Sequence, residues 1–220
     1  MRINWILHIL MPVSIVLAFA WAPPVQALGD AGRIIFFHVP VAIVSVAAFL
    51  LSGLLSILYL FYHGERFPML AEKSHNSACL GMLFVILTVI TGSIWARISW
   101  GSFWNWDPRE TSIVVLLLVY IAYFSLHSAL GRSGSRDRIT AVYLIFAMAM
   151  VPFFAFIVPR VYPSLHPDPI INPDRQVHLE ERMKLTLLAS AVSFMLLYFY
   201  MFSIMNRMSI LKKKIGDRHE

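Results

Sequence analysis

Charge is what this chain has least of. Only 14% of its 220 residues are Asp, Glu, Lys or Arg, against 59% apolar, and its mean hydropathy is +0.71. A soluble domain of that length carries roughly a quarter charged residues. No polar segment is long enough to form a separate domain, so residues 1–220 read as one integral membrane unit. Cysteine is nearly missing as well. Cys79 stands alone in an apolar run, which excludes a disulfide framework or a cysteine-based metal site within one chain. The sequence has no glycine-rich phosphate loop, no zinc-ligand spacing, no internal repeat and no low-complexity tract. Basic residues outnumber acidic ones by 18 to 12, but they gather at the ends of apolar segments, where membrane topology accounts for them. No nucleic-acid partner is expected.

What the chain does have is hydrocarbon in six runs: 5–22, 40–62, 77–96, 111–130, 139–159 and 185–205. About 20 apolar residues cross a hydrocarbon core of roughly 30 Å, and in lipid the backbone must satisfy its own hydrogen bonds. The reading is an all-α integral membrane protein of six transmembrane helices, with both termini on one side. Eleven Lys and Arg residues fall on that side (Arg2, Arg66, Lys73, Arg132, Arg136, Arg138, Arg207, Lys212, Lys213, Lys214 and Arg218) and seven on the other. The positive-inside rule therefore puts both termini in the cytoplasm. A competing reading of the first run is a signal peptide, with V-Q-A at 25–27 as a small-residue cleavage site. The remaining topology is the same either way.

Three segments then face outward: 23–39, 97–110 and 160–184. The last is long and stiffened by Pro163, Pro167, Pro169 and Pro173, and a connection of that length points to function. The second holds W-G-S-F-W-N-W-D-P-R-E-T at 100–111. Trp100, Phe103 and Trp104 have the spacing of one face of a helical turn, with Trp106 pointing elsewhere. Tryptophan favours the membrane–water interface, which accounts for one or two of these rings. Three within seven residues, with Trp95 just before, leave an interfacial belt and a ligand platform as equal alternatives. Asp107, Pro108 and Glu110 make a helix-start signal for the fourth run, as N-cap, N1 and N3. Arg109 lies in that first turn, where the macrodipole disfavours a cation, and this suggests an anionic partner such as a lipid headgroup or a ligand carboxylate.

His38, in F-F-H-V-P, precedes Pro40, so the second helix is expected to begin at Pro40 with His38 just outside it. His166 and His178 sit in the outer proline-rich loop. A lone interfacial histidine is ordinarily a solvated or capping residue. Histidines flanking an aromatic plate suit a metalloporphyrin, with rings over its apolar area and arginines near its propionates. Arg33, Arg97, Arg109 and Arg160 are the candidates. His63, His75 and His127 fall near the inner face, where interfacial polarity explains them more simply than a second metal or haem site.

The stretch W-G-S-F-W-N-W-D-P-R-E-T-S (100–112) resembles the tryptophan-rich WWD signature of the haem-handling family of cytochrome c biogenesis. T-G-S-I-W-A (91–96), F-H-V-P (37–40) and S-L-H-P (164–167) resemble further motifs of that family in the same order. Length and span number are most similar to its CcmC branch. The resemblance implies a single cytochrome c assembly-type domain in the bacterial inner membrane, with the WWD loop at 97–110 and the outer loop at 160–184. It implies haem held non-covalently, as b-type haem, on the outer face. His38 and His166 would be the axial iron ligands, and Trp100, Gly101, Trp104, Trp106, Asp107 and Arg109 would form the rest of the site. It implies delivery to the periplasmic haem chaperone CcmE, alongside the transporter subunits CcmA and CcmB and the small membrane subunit CcmD, with membrane lipid around the chain. The protein would then be a haem-transfer component and not an enzyme in the ordinary sense. Pro108 and Glu110 depart from the CcmC form of the signature and resemble the W-D-P-K-E form of CcsA, a synthase subunit that attaches haem to apocytochrome c.

Overall fold

The structure is a computed structural model that describes residues 2–25, 28–62, 67, 69–131, 133, 135–166 and 179–216. The helices are α1 (Arg2–Val16), α2 (Ile35–Phe61), α3 (Leu70–Trp100), α4 (Pro108–Ala129), α5 (Arg136–Pro152), the short α6 (Val158–Val161) and α7 (Glu181–Gly216). α1 is extended by a π-turn at Leu17–Trp21, and α5 runs through another at Phe153–Ile157 into α6. Five helices are long and apolar enough to cross a membrane. The sixth apolar helix, Trp5–Trp21, is shorter, because Pro23 and Pro24 follow at once. This is an all-α, multi-pass membrane protein, and the V-Q-A tripeptide at 25–27 lies mostly outside the described residues.

α2 is the hub. It packs on α3, α5 and α7, while α4 lies against α3 and α5, and α1 against α7. One core is made by Phe49, Ala78, Val85, Leu116, Tyr120 and Leu144 with their neighbours, from α2, α3, α4 and α5. A second joins α2, α3 and α7 around Val44, Phe84 and Tyr198. Lipid tails are as apolar as these side chains, so close packing and polar bonds, rather than water exclusion, must hold the helices together. Gly81 lets α3 close on Phe49, and Gly53 lets α2 close on Met148. Ser74 Oγ donates to the Ser52 carbonyl and Ser77 Oγ to the Ala48 carbonyl, each at 2.7 Å. Asn76 Nδ2 donates to Asn206 Oδ1 at 2.9 Å and ties α3 to α7.

Two boundaries differ from the sequence reading, and both bear on the site. The second helix does not begin at Pro40. A 3-10 turn at Asp30–Ile34 leads directly into α2 at Ile35, which winds His38 and Pro40 into its opening turns. Pro40 is the sixth residue of α2, so its missing N–H removes the bond that would run to the Phe36 carbonyl. The W-G-S-F-W segment is not a helical turn either. α3 ends at Trp100, and Gly101 caps it at φ +81°, a left-handed conformation that glycine adopts freely. Trp100 therefore belongs to a helix, and Phe103 and Trp104 to a loop.

Candidate functional site

The start of α2, the end of α3, the start of α4, α6 and residues 162–166 meet at one end of the bundle. His38 reaches from α2 against α3, and its ring lies over Gly92. Its Nδ1 is 2.9 Å from Thr91 Oγ1. The single hydroxyl proton of Thr91 goes to the Leu87 carbonyl at 2.7 Å or the Thr88 carbonyl at 3.3 Å. The hydroxyl must then accept from His38, which puts the imidazole proton on Nδ1 and the lone pair on Nε2.

Asp107 organises the second half. Its backbone and carboxylate cap α4 as expected: Oδ1 accepts from the Arg109 N–H at 2.9 Å, and Glu110 Oε2 accepts in return from the N–H groups of Asn105 at 2.8 Å and Asp107 at 3.4 Å. The cap is only part of its work. The side chain also accepts from Ser164 Oγ at 2.9 Å, the Leu165 N–H at 2.6 Å and His166 Nδ1 at 2.9 Å. Asp107 is 3% exposed. Burial alone would push its carboxyl up, but the hydrogen bonds from Arg109, Leu165 and Ser164 outweigh it and hold the group below its usual value. A carboxylate only accepts, so His166 donates from Nδ1 and presents its lone pair on Nε2. Burial pushes His166 below its usual value against the pull of Asp107, and the ring is neutral at pH 7. Trp95 and Trp100 hold it from two sides, at centroid distances of 5.5 and 4.8 Å.

Both histidines line one cavity of about 420 Å³, within the range of small-molecule and cofactor sites. α2 contributes Ile35, Val39 and Ala42 to its wall, α4 contributes Ile113 and Leu116, and the π-turn after α5 contributes Phe154 and Phe156. That turn precedes Pro159, whose missing N–H breaks the ladder there. Trp104, Arg109 and Arg160 also line it. Glu110 Oε1 and Ser112 Oγ are buried in the same wall without a hydrogen-bond partner among the described residues. Two neutral imidazoles, an apolar and aromatic wall and two arginines can together hold a flat metal-bearing macrocycle with carboxylate tails.

Of the residues expected at the site, His38, Trp104, Arg109 and His166 meet at the cavity. Trp100 and Asp107 stand behind His166, and Gly101 ends α3. Trp106 is 77% exposed, packs edge-on to Trp104 at 5.6 Å, and takes φ +55°, a strained conformation for a bulky residue. Arg33 is bound to the carbonyls of Ala18 and Ala22 and to Asp30, and Arg97 to the Gly101 carbonyl. Of the four arginines, Arg109 and Arg160 line the cavity, and Arg160 Nη1 also donates to the Phe156 carbonyl at 2.6 Å. Sequence reading gave Thr91, Gly92, Trp95 and Ser164 no individual role, although each falls in or beside a quoted motif. His75 and His127 stack at 4.1 Å at the opposite end, with His75 Nδ1 2.9 Å from Tyr123 Oη. Among the described residues, no three or more His, Cys, Asp or Glu side chains are grouped to hold a metal ion. His63 and His178 lie outside the described residues.

The family model of Heme exporter protein C (CcmC) matches residues 1–219. The chain is 29% identical over 196 residues to Heme exporter protein C of Bradyrhizobium diazoefficiens, covering 89% of this chain and 73% of that protein. It is 27% identical over 207 residues to Heme exporter protein C of Haemophilus influenzae, covering 93% and 82%. Cytochrome c biogenesis protein CcsA of Chlamydomonas reinhardtii is 33% identical over 117 residues, covering 49% of this chain and 33% of that protein.

Proposed function

Since the chain belongs to the Heme exporter protein C family, whose role is haem handling for cytochrome c maturation, we propose that it binds b-type haem non-covalently at the periplasmic end of the bundle and delivers it to the haem chaperone CcmE. Haem is cargo here, and the chain is a transfer component. The observation that carries the reading is the pair of neutral histidines, His38 and His166, each with Nδ1 bonded to protein, at one apolar cavity. Nε2 of each ring is then the iron ligand. A bonded Nδ1–H fixes both tautomer and ring orientation, as histidine ligands generally require. Trp104, Phe154 and Phe156 cover the apolar area of the macrocycle and exclude water. Arg109 and Arg160 meet its propionates, and a guanidinium is well shaped for a carboxylate. CcmA, CcmB and CcmD complete the assembly in the bacterial inner membrane, with both termini of this chain cytoplasmic.

The W-D-P-R-E sequence at 106–110 and the shared stretch with CcsA favour one second reading, a synthase component that attaches haem directly to apocytochrome c. Co-expression with an apocytochrome carrying C-x-x-C-H, with and without CcmE, separates the two. Haem-loaded CcmE, and holocytochrome only when CcmE is present, is the expected outcome. Covalent product in the absence of CcmE would overturn the delivery role.

A further inference from the structure

The two histidines are not held alike, and the difference gives them different parts in transfer. His38 is supported only by neutral groups, the Thr91 hydroxyl and the Thr88 backbone carbonyl. His166 is supported by a buried carboxylate that also grips the two residues before it, through Ser164 Oγ and the Leu165 N–H. Trp95 and Trp100 wall the His166 ring in, and the same carboxylate fixes the start of α4. Resting on the function proposed above, we propose that Asp107 is a positioning residue that makes His166 the retained iron ligand and leaves His38 as the one that yields when haem is handed on.

The chemistry follows from the hydrogen-bond partners. A charge-assisted bond is about twice as strong as a neutral one, and a carboxylate accepting from Nδ1–H raises the donor strength of Nε2. The stronger donor favours ferric over ferrous iron and keeps its bond longer. His38 lacks that support, so its Fe–Nε2 bond breaks first, and a donor atom of the receiving protein takes the vacated position. Only a ligand exchanges, and the iron need not change oxidation state. The restraint on the chain is unequal as well. Segment 164–166 is tied at three points to a carboxylate 3% exposed, whereas the His38 ring has only neutral partners, the Thr91 hydroxyl and the Thr88 carbonyl, to give up.

The test uses the full-length, haem-loaded protein and two isosteric variants. Asp107→Asn removes the charge but keeps an N-cap side chain, since Asn caps as well as Asp, so α4 retains its start. Thr91→Val removes the hydroxyl that supports His38. Removing such a supporting partner weakens metal binding about tenfold or more, and a tenfold shift between ferric and ferrous affinity is about 59 mV for one electron. Asp107→Asn should therefore raise the haem midpoint potential by about that amount, with a smaller shift for Thr91→Val. In the ferrous carbon monoxide adduct, CO should replace His38 and sit opposite His166. The vibrational frequencies of the bound CO should then move in Asp107→Asn and stay at wild-type values in Thr91→Val. Ser164→Ala, which loosens the grip but leaves the carboxylate charged, should shift the potential less than Asp107→Asn does. An unchanged potential in Asp107→Asn, or a CO spectrum that responds to Thr91→Val alone, overturns the assignment. A wild-type protein that binds no haem would sink the parent reading instead, so the two failures are distinguishable.

Discussion

Gly92→Ala is expected to leave the protein as stable as before while damaging its ability to ligate iron. A Cβ at Gly92 would stand 3.0 Å from His38 Cε1 and 3.6 and 3.8 Å from Nδ1 and Nε2. The first distance is inside ordinary contact, so the ring must retreat by a few tenths of an ångström. Gly92 sits in the middle of α3, where alanine is better than glycine by roughly 0.5–1 kcal/mol. Against that stands the bond to Thr91 Oγ1, now 2.9 Å, whose stretching or loss removes about 1 kcal/mol. The terms nearly cancel, and the thermal midpoint of the haem-free protein should move by no more than a few degrees. Iron coordination is less forgiving, because a site loosened by about 0.5 Å loses its geometry. Haem affinity should fall about tenfold, the scale of losing a ligand's supporting contact. Gly92→Leu should go further and give five-coordinate, high-spin iron through His166. Haem titration followed by Soret absorbance and electron paramagnetic resonance, beside a melting curve of the haem-free protein, reads both effects. Wild-type affinity with a six-coordinate spectrum in Gly92→Leu would refute the placement of His38 on that face of α3.

Gly101→Ala should destabilise the protein by about 1 kcal/mol, because φ is +81° there and nothing lies within 4 Å of the added methyl. A melting curve checks this, and haem affinity should hold. Asp107→Ala should be worse than Asp107→Asn, since it removes the cap, worth about 1 kcal/mol, and leaves the part-buried donors of Leu165 and His166 without their acceptor, each costing about 1 kcal/mol. Limited proteolysis after residue 160 would show that segment released. Trp106→Ala should change stability little, as the ring is 77% exposed, and any loss of haem transfer without loss of haem binding would locate that ring at the receiving side. The buried, neutral His166 ties stability to pH. Its folded value lies below the ordinary 6.5, so the unfolded chain takes up more protons as pH falls through that value. Stability of the haem-free protein should then be full above about pH 6.5 and decline below it, and His166→Gln should flatten that slope.

Much of the fold was legible because lipid allows so few backbone solutions. Apolar runs gave the helices, although their ends moved: α3 starts at Leu70 and α7 runs to Gly216, beyond the hydrocarbon runs that announced them. Capping chemistry is local, and Asp107-Pro108-Arg109-Glu110 was read correctly as a helix start. What local chemistry hides is the second use of the same carboxylate. The bond from His166 to Asp107 joins residues 59 apart, and no spacing rule reaches that far. In sequence Pro40 reads as a helix start with its preceding residue held out of helical geometry, which puts His38 just outside the helix. The 3-10 turn at Asp30–Ile34 had already begun the winding. By spacing alone Trp95 is only one more ring. Its role depends on α3 continuing to Trp100, which brings both indoles against His166.

Both proposals require His38 and His166, which line a single cavity, to ligate one haem iron. Optical and electron paramagnetic resonance spectra of the purified ferric protein, with His38→Ala, His166→Ala and the double variant, test it most directly. The wild type should be six-coordinate and low-spin. Each single variant should lose one axial ligand and become high-spin, recoverable with added imidazole, and the double variant should purify without haem. A double variant that retains wild-type haem content and a low-spin spectrum would contradict the assignment outright.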